Sequence, residues 1–197
     1  YFDDAVPSGD AGTLLDEAWC RFLKENDFLV GLSIDGPEHL HDAFRRAKNG
    51  APTFQEVMRA ARLLQRFEVP FNTLACVNRV NAAYPLEVYR FLRDELGSTH
   101  IQCTPVVEPR GFEQAAPPLE GGAGLPGIDD PRARPGHPDS IVTDWSVDPE
   151  DWGRFLCTVF DEWREHDLGR VLVNQFETLV SQHLGCGPQM CVYSEFC

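Results

Sequence analysis

The sequence has few basic residues for its length and lacks any long apolar run. Its 197 residues include 17 Lys and Arg against 31 Asp and Glu, giving a net charge of −14 at pH 7. A strongly acidic chain repels phosphate groups, so we expect no nucleic-acid partner. No apolar stretch reaches the length that spans a bilayer, and no positively charged start precedes an apolar segment. We therefore expect no membrane partner, and we predict a cytoplasmic protein.

Several motifs that identify common enzyme classes are also missing. The sequence contains no nucleophile elbow, no phosphate-binding loop, no Gly-x-Gly-x-x-Gly and no His-Glu-x-x-His pattern. These absences argue against hydrolases and nucleotide-dependent kinases. Hydrophobic residues nonetheless make up 43% of the chain. That content is enough for the core of one globular domain or a little more.

The chain is organised around a short apolar run, residues 28–34, that stops at Asp35-Gly36-Pro37. This is the pattern of a buried strand that delivers polar side chains at its carboxyl end. Similar runs at 69–77 and 100–107 each follow a segment of helical spacing. Three βα-type units in series predict an α/β fold with a parallel sheet, and ligands bind at the carboxyl ends of such strands.

Helical segments and a long insertion account for most of the remaining chain. Apolar spacing predicts five helices, over 14–26, over 54–67, from Pro85 to about 97, from Pro149 onward, and over about 171–184. Three of them have candidate N-cap residues, namely Asp16 or Thr13 for the first, Thr53 for the second and Asp148 for the fourth. Residues 38–46 predict a short helical turn. Between Pro105 and Pro138 lie 8 of the 15 prolines and 6 of the 16 glycines, which indicates an extended insertion.

Candidate binding residues follow the first strand. Ser33 lies at its end and Arg45 twelve residues later. A hydroxyl at a strand end can bond a ribose or amino-acid group, and an arginine can hold a carboxylate through two hydrogen bonds. The residues alone also allow a simpler interpretation of each feature. In that interpretation Asp35-Gly36-Pro37 is an ordinary turn, and Arg45 is a solvated surface charge.

Six of the seven cysteines, all but Cys20, fall into two groups. Cys76, Cys103 and Cys157 lie within apolar runs, which predicts small buried side chains. The last three, Cys186, Cys191 and Cys197, crowd into the final twelve residues. A Cys-x5-Cys pair can ligate iron or zinc, can close a disulfide, or can be incidental. A four-iron cluster needs four thiolates, and this pair supplies two.

The sequence resembles the anaerobic sulfatase-maturating enzymes, members of the radical S-adenosylmethionine superfamily with a cysteine-rich C-terminal extension. The resemblance covers most of residues 12–107 and 142–197, in order. It is carried by Val30-Gly31-Leu32-Ser33-Ile34-Asp35-Gly36-Pro37, Pro52-Thr53-Phe54, Phe71-Asn72-Thr73-Leu74, Val77-Asn78-Arg79, Pro85-Leu86-Glu87-Val88-Tyr89-Arg90-Phe91-Leu92, Ile101-Gln102, Trp145-Ser146-Val147-Asp148-Pro149-Glu150 and the stretch from Leu184-Gly185 through Cys191-Val192-Tyr193-Ser194-Glu195-Phe196-Cys197.

This resemblance implies part of a (β/α)6 partial TIM barrel, about three βα units, followed by two helices that lead into a truncated cluster-binding extension. It implies that a [4Fe-4S] cluster cleaves S-adenosylmethionine, and that the resulting radical takes a hydrogen from Cβ of a Cys or Ser in a sulfatase, giving Cα-formylglycine. By position, Ser33 and Arg45 resemble the residues that bind S-adenosylmethionine. Cys191 and Cys197 resemble the first two ligands of an auxiliary [4Fe-4S] cluster. Expected partners are a sulfatase polypeptide or peptide and an electron donor for cluster reduction.

The sequence also departs from the family. The defining Cys-x3-Cys-x2-Cys is not found anywhere in the chain. Without the radical-generating cluster no homolytic chemistry starts, so we expect a segment of a longer radical oxidoreductase that is inactive by itself. We divide it into the C-terminal half of the partial barrel at 1–107, a Pro/Gly-rich insertion at 108–141, and a helical segment with the start of an auxiliary iron–sulfur cluster domain at 142–197. The alternatives are another peptide-modifying radical enzyme and a degenerate, non-catalytic peptide-binding module.

Overall fold

The structure is a computed structural model that describes residues 15–110, 126–127 and 129–186. The α-helices are α1 (Glu17–Glu25), α2 (Glu38–Phe44), α3 (Phe54–Arg66), α4 (Pro85–Arg90), α5 (Pro149–His166) and α6 (Asn174–His183). The strands are β1 (Val30–Ser33), β2 (Phe71–Val77), β3 (His100–Pro105) and β4 (Leu172–Val173). A π-helical turn, Phe91–Glu95, continues α4, and two 3-10 turns lie at Asn81–Ala83 and Pro131–Ala133.

The four strands form one sheet in the order β1-β2-β3-β4, and every neighbouring pair is parallel. The predicted α/β fold with a parallel sheet is therefore confirmed. The prediction of three βα units followed by two helices is wrong in one respect. Residues 172 and 173, which we expected at the start of the last helix, instead pair with His100 and Ile101 as a fourth strand. Helix α6 begins only at Asn174.

The two faces of the sheet differ in character. One face is packed against the helices and forms the main core with their apolar side chains. That core includes Leu32, Ile34, Leu40, Phe54, Val57, Ala75, Val77, Val88, Tyr89, Leu92, Ile101, Cys103, Phe155, Trp163, Val173 and Phe176. Because side chains alternate along a strand, the other face carries the intervening residues. These are partly exposed and mostly polar, namely Ser33, Asn72, Leu74, Cys76, Gln102 and Thr104. We call this second surface the open face.

The first turns of α1 and α5 are capped by the residue directly before each helix, whereas the first turn of α3 is capped by a residue farther away in the chain. The side chains of Asp16 and Asp148 accept hydrogen bonds from the first turns of α1 and α5, as predicted. Thr53 occupies the N-cap position of α3, but its hydroxyl does not cap the helix. Instead the carboxylate of Asp42 accepts from the amides of Thr53 and Phe54 at 2.9 and 3.0 Å.

The predicted insertion is anchored at its two ends. Pro109 and Val142 form an antiparallel bridge, and the guanidinium of Arg110 donates to the carbonyl of Val142 and to the carboxylate of Asp144. Residues 111–125 lie outside the described residues. The division at 108 and 141 stays a prediction. No helix in the described part of the chain combines the length and the apolar character needed to cross a membrane.

Candidate functional site

Polar side chains gather where β1 and β2 end. Ser33 is the last residue of β1, and Asp35 follows it by two residues, so both start from the same side of the extended chain. Cys76 is the penultimate residue of β2 on the open face. Arg45 follows α2 and returns to this edge, which brings it to Asp35 and Cys76. The carboxyl edge of the sheet therefore holds an acid, a cation, a thiol and a hydroxyl.

Arg45 and Asp35 form a two-pronged ion pair. Nε of Arg45 donates to Oδ2 of Asp35 at 2.7 Å, and Nη2 donates to Oδ1 at 3.1 Å. Nη2 also lies 3.3 Å from Sγ of Cys76. The Arg45 side chain is 27% exposed and that of Asp35 only 4%. Arg45 is thus not a solvated surface charge, and Asp35 does more than form a turn.

Asp35 is held from three sides by groups other than Arg45. Its Oδ1 accepts from the backbone amide of Cys76 at 2.8 Å, its own amide donates to Nδ1 of His41 at 3.2 Å, and its carbonyl accepts from Nδ2 of Asn81 at 3.1 Å. The next residue, Gly36, has φ +125°, a conformation that L side chains rarely adopt. A Cβ there would approach Val88 to 3.2 Å. A side chain at position 36 would therefore strain this turn.

His41 links both halves of the ion pair. Because its Nδ1 accepts from the amide of Asp35, the neutral ring carries its proton on Nε2, which lies 3.2 Å from Oγ1 of Thr53. That hydroxyl in turn donates to the carbonyl of Arg45 at 2.8 Å. His41 is fully buried, and burial lowers its pKa. The imidazole therefore stays neutral and keeps this chain of hydrogen bonds intact.

The protonation states of the two groups that contact Asp35 follow from burial and charge. Burial opposes the charge of Arg45, but the hydrogen bond and charge of Asp35 outweigh burial and raise the pKa of the guanidinium. Burial and the neighbouring Asp35 raise the pKa of the Cys76 thiol despite the opposing effect of Arg45. Arg45 is thus a permanent cation, and Cys76 is a thiol at neutral pH rather than a reactive thiolate.

Ser33 lies on the open face in the same row as Leu74 and Gln102, according to the strand register. It is half-buried, and its hydroxyl makes no hydrogen bond to another described residue. Gln102 contacts Asn174, the first residue of α6, with 3.4 Å between Oε1 and Nδ2. The open face thus continues from Ser33 on β1, across Leu74 on β2, to the polar pair of Gln102 and Asn174. Sequence reasoning did not connect Gln102 or Asn174 with the site.

The structure also tests the expected buried cysteines. Cys103 is buried on the helix-packed face, and burial raises the pKa of its thiol to about 12. Cys76 is half-buried. The prediction for Cys157 is wrong, because this thiol is exposed on α5. Helix α5 buries the stripe formed by Phe155, Val159 and Trp163, and position 157 lies off that stripe.

No described residues form a metal site. In the described ranges, no three His, Cys, Asp or Glu side chains come together as metal ligands. Cys186 is exposed just beyond α6. Cys191 and Cys197, the predicted cluster ligands, lie outside the described residues. Their role stays a prediction from the resemblance.

Comparison with known proteins identifies the relatives of this chain. No family model matches it. It is 38% identical, over 94% of its length, to a serine-type anaerobic sulfatase-maturating enzyme of Bacteroides thetaiotaomicron, and 32% identical to a cysteine-type enzyme of Clostridium novyi. This chain is homologous to a segment of the anaerobic sulfatase-maturating enzymes. The resemblance inferred from the sequence motifs is confirmed.

A solved structure of an anaerobic sulfatase-maturating enzyme, described as native anSMEcpe with bound AdoMet and Cp18Cys peptide, also matches. It superposes with a TM-score of 0.69 at 32% identity and covers 91% of this chain but 43% of its own. The chain likewise spans 42% and 43% of the two curated enzymes. It therefore corresponds to about two fifths of the sulfatase-maturating enzymes it matches.

Proposed function

We propose that this chain supplies the S-adenosylmethionine-binding wall of a radical enzyme that converts a Cys or Ser side chain of a sulfatase to Cα-formylglycine. The observation that carries the proposal is that the Arg45–Asp35 pair and Ser33 lie at the same carboxyl edge of a parallel sheet. The solved relative has AdoMet bound, and its relatives are named for sulfatase maturation. The four strands, with helices on one face, would form an arc of a (β/α)6 partial barrel whose interior is the open face.

The residues at this edge suit the chemistry of S-adenosylmethionine. The cofactor carries a carboxylate, an ammonium and ribose hydroxyls. Arg45 would hold the carboxylate, because its Nη1 has no hydrogen-bond partner among the described residues and a carboxylate bonds strongly to a guanidinium. Ser33 would contact the ribose or the amino-acid part through its hydroxyl, which has no hydrogen-bond partner among the described residues. Arg45 and Ser33 would hold S-adenosylmethionine, which beside a reduced iron–sulfur cluster would supply the radical chemistry that takes hydrogen from Cβ of the substrate residue.

The described residues do not provide the ligands that an iron–sulfur cluster needs. Cys20, Cys76 and Cys103 occur in different parts of the fold and join no group of ligands within the described ranges. The sequence contains no Cys-x3-Cys-x2-Cys. We therefore propose that this chain alone starts no radical reaction, and that an electron donor serves the protein that does carry the cluster. Cys191 and Cys197 remain proposed auxiliary ligands.

The test of this function is a chimera in which this chain replaces the matching segment of the Bacteroides thetaiotaomicron enzyme. After anaerobic reconstitution, mass spectrometry measures the conversion of Cys or Ser to an aldehyde in a sulfatase peptide. We expect the chimera to form formylglycine and the isolated chain to form none. The matched control is the chimera with Arg45→Ala, which should lose most activity.

Three other outcomes would count against the proposal. Peptide binding without any product would favour the non-catalytic module. Oxidation of other side chains alone would favour a different peptide-modifying enzyme. Stable uptake of about four irons by the isolated chain would contradict the statement that it lacks a sufficient ligand set.

A further inference from the structure

A buried acid holds the cation at the proposed binding edge, and this arrangement requires an explanation. Asp35 is 3% exposed. Its carboxylate takes two hydrogen bonds from Arg45, the residue that would bind the cofactor carboxylate. A negative charge beside such a cation lowers the attraction for a second carboxylate. The position of Asp35 is therefore unfavourable by charge alone and must be offset by another effect.

We infer that Asp35 is a positioning residue that orients the guanidinium of Arg45 toward a ligand carboxylate. The inference rests on the proposed function. Asp35 engages the edge formed by Nε and Nη2, and two contacts fix the plane of the guanidinium. The edge formed by Nη1 and the second hydrogen of Nη2 then faces away from Asp35. Of these two nitrogens, Nη1 has no partner among the described residues, and Nη2 has only the Cys76 thiol on that side.

The orientation of Asp35 does not depend on Arg45. Its carboxylate is tied to the backbone of β2 through the amide of Cys76, and its own backbone is tied to His41 and Asn81. The rigid carboxyl edges of β1 and β2 therefore set the direction of the guanidinium. A flexible arginine would have to lose its side-chain freedom on binding a ligand, and a preoriented one has already lost it. The gain in preorganisation offsets the unfavourable charge of Asp35.

The two possible roles of Asp35, positioning Arg45 and weakening its charge, predict opposite changes in carboxylate affinity for the variant Asp35→Asn. If the charge of Asp35 dominated, removing it would strengthen the binding of a carboxylate ligand. If positioning dominates, the variant binds the carboxylate more weakly, because an amide nitrogen now faces Nε of Arg45. The variant keeps an oxygen for the amide of Cys76, so the strand contact persists. The sign of the change therefore separates the two roles.

The experiment is a ligand-detected NMR titration of this chain with S-adenosylmethionine and with its decarboxylated analogue, which lacks only the carboxylate. A charge-assisted hydrogen bond predicts a preference of about tenfold or more for S-adenosylmethionine in the unmodified chain. We expect the preference to fall below about threefold in Asp35→Asn, with the affinity for the analogue changed by less than about twofold. A general loss of structure would weaken both ligands equally.

The outcomes separate failure of the proposed function from failure of this inference. No binding, or no preference in the unmodified chain, overturns the proposed role of Arg45 and the inference with it. An unchanged or larger preference in Asp35→Asn overturns the inference alone. If that variant fails to fold, Arg45→Lys serves instead, since it keeps the charge but loses the planar contact with Asp35. Retention of the full preference in Arg45→Lys would refute the role of orientation.

Discussion

Asn81 is the residue whose removal should most directly loosen the candidate site. It is fully buried in the 3-10 turn after β2, and its side chain makes three hydrogen bonds to backbone groups of the described residues. Its Nδ2 donates to the carbonyls of Asp35 at 3.1 Å and Cys76 at 2.9 Å, and its Oδ1 accepts from the amide of Asn78 at 2.7 Å. One side chain thus joins the ends of β1 and β2 to the loop that follows.

The substitution Asn81→Ala removes these three hydrogen bonds and leaves two carbonyls and one amide without them. At about 1 kcal/mol net for each bond, the free energy of unfolding should fall by about 3 kcal/mol, within a range of about 2–5. With an m-value of about 2 kcal/mol per molar urea, the unfolding midpoint should fall by about 1.5 M. Urea titration followed by circular dichroism measures this shift directly.

The matched control is Asn49→Ala. Asn49 is exposed, and its side chain accepts one local hydrogen bond, from the amide of Ala51 at 3.0 Å. Removing it should cost less than about 1 kcal/mol, because water replaces the lost partner. If Asn81→Ala shifted the midpoint no more than Asn49→Ala, the carboxyl edges of β1 and β2 would not depend on Asn81. The rigidity attributed to Asp35 would then lose one of its three supports.

Three further predictions concern pH, a buried hydroxyl and thiol reactivity. In the folded protein the pKa of His41 lies below its ordinary value of 6.5. The stability that the neutral imidazole contributes is therefore present above pH 6.5 and is lost as the pH falls toward the folded pKa. The variant His41→Gln should flatten this part of a plot of unfolding free energy against pH. The variant Tyr89→Phe removes the 2.9 Å hydrogen bond from the Tyr89 hydroxyl to the buried carboxylate of Asp167. The free energy of unfolding, measured in urea, should fall by about 1–2 kcal/mol, and a fall below about 0.5 kcal/mol would mean that this hydrogen bond contributes little. At pH 8, a maleimide followed by peptide mapping should label Cys157 rapidly and Cys103 only on unfolding; equal rates would contradict the burial of Cys103.

The elements that sequence reasoning placed correctly are those whose signals are local. A strand ending at Ser33 follows from an apolar run stopped by a turn, and the starts of α1 and α5 follow from Asp16 and Asp148. In each case the deciding residues lie within a few positions of the boundary. The start of α3 is different, because its cap comes from Asp42, eleven residues before the amide of Thr53. No local pattern indicates such a partner.

Strand β4 shows the same limit for secondary structure. Its two residues, Leu172 and Val173, continue the apolar spacing of the helix that follows. Only pairing with His100 and Ile101, about 72 residues earlier in the chain, makes them a strand. A two-residue strand contributes too little periodicity to be separated from a helix by sequence alone. Its existence depends on tertiary contacts, and so does the position of Asn174 beside Gln102.

For the candidate site, the sequence predicts two residues but not their partners. It points to Ser33 and Arg45, and the structure places both at the carboxyl edge of the sheet, while their binding role stays a prediction. The partnership of Arg45 with Asp35 was not proposed, although one signal pointed to it. An acid two residues beyond a strand end needs a compensating charge when it is buried, and Arg45 is the first arginine after it in the chain.

This partnership changes what the arginine can contribute to recognition. The Arg45–Asp35 pair has no net charge, so it attracts an anion only weakly at long range. The net charge of the chain, −14, does not attract anions at all. Any selectivity for a carboxylate at this edge must therefore come from short-range, directional hydrogen bonds rather than from electrostatic steering. Such binding should depend only weakly on ionic strength, whereas a bare surface arginine would lose affinity steeply as salt is added. Measuring the preference for S-adenosylmethionine over its decarboxylated analogue at low and high salt thus separates a built, oriented contact from simple charge attraction.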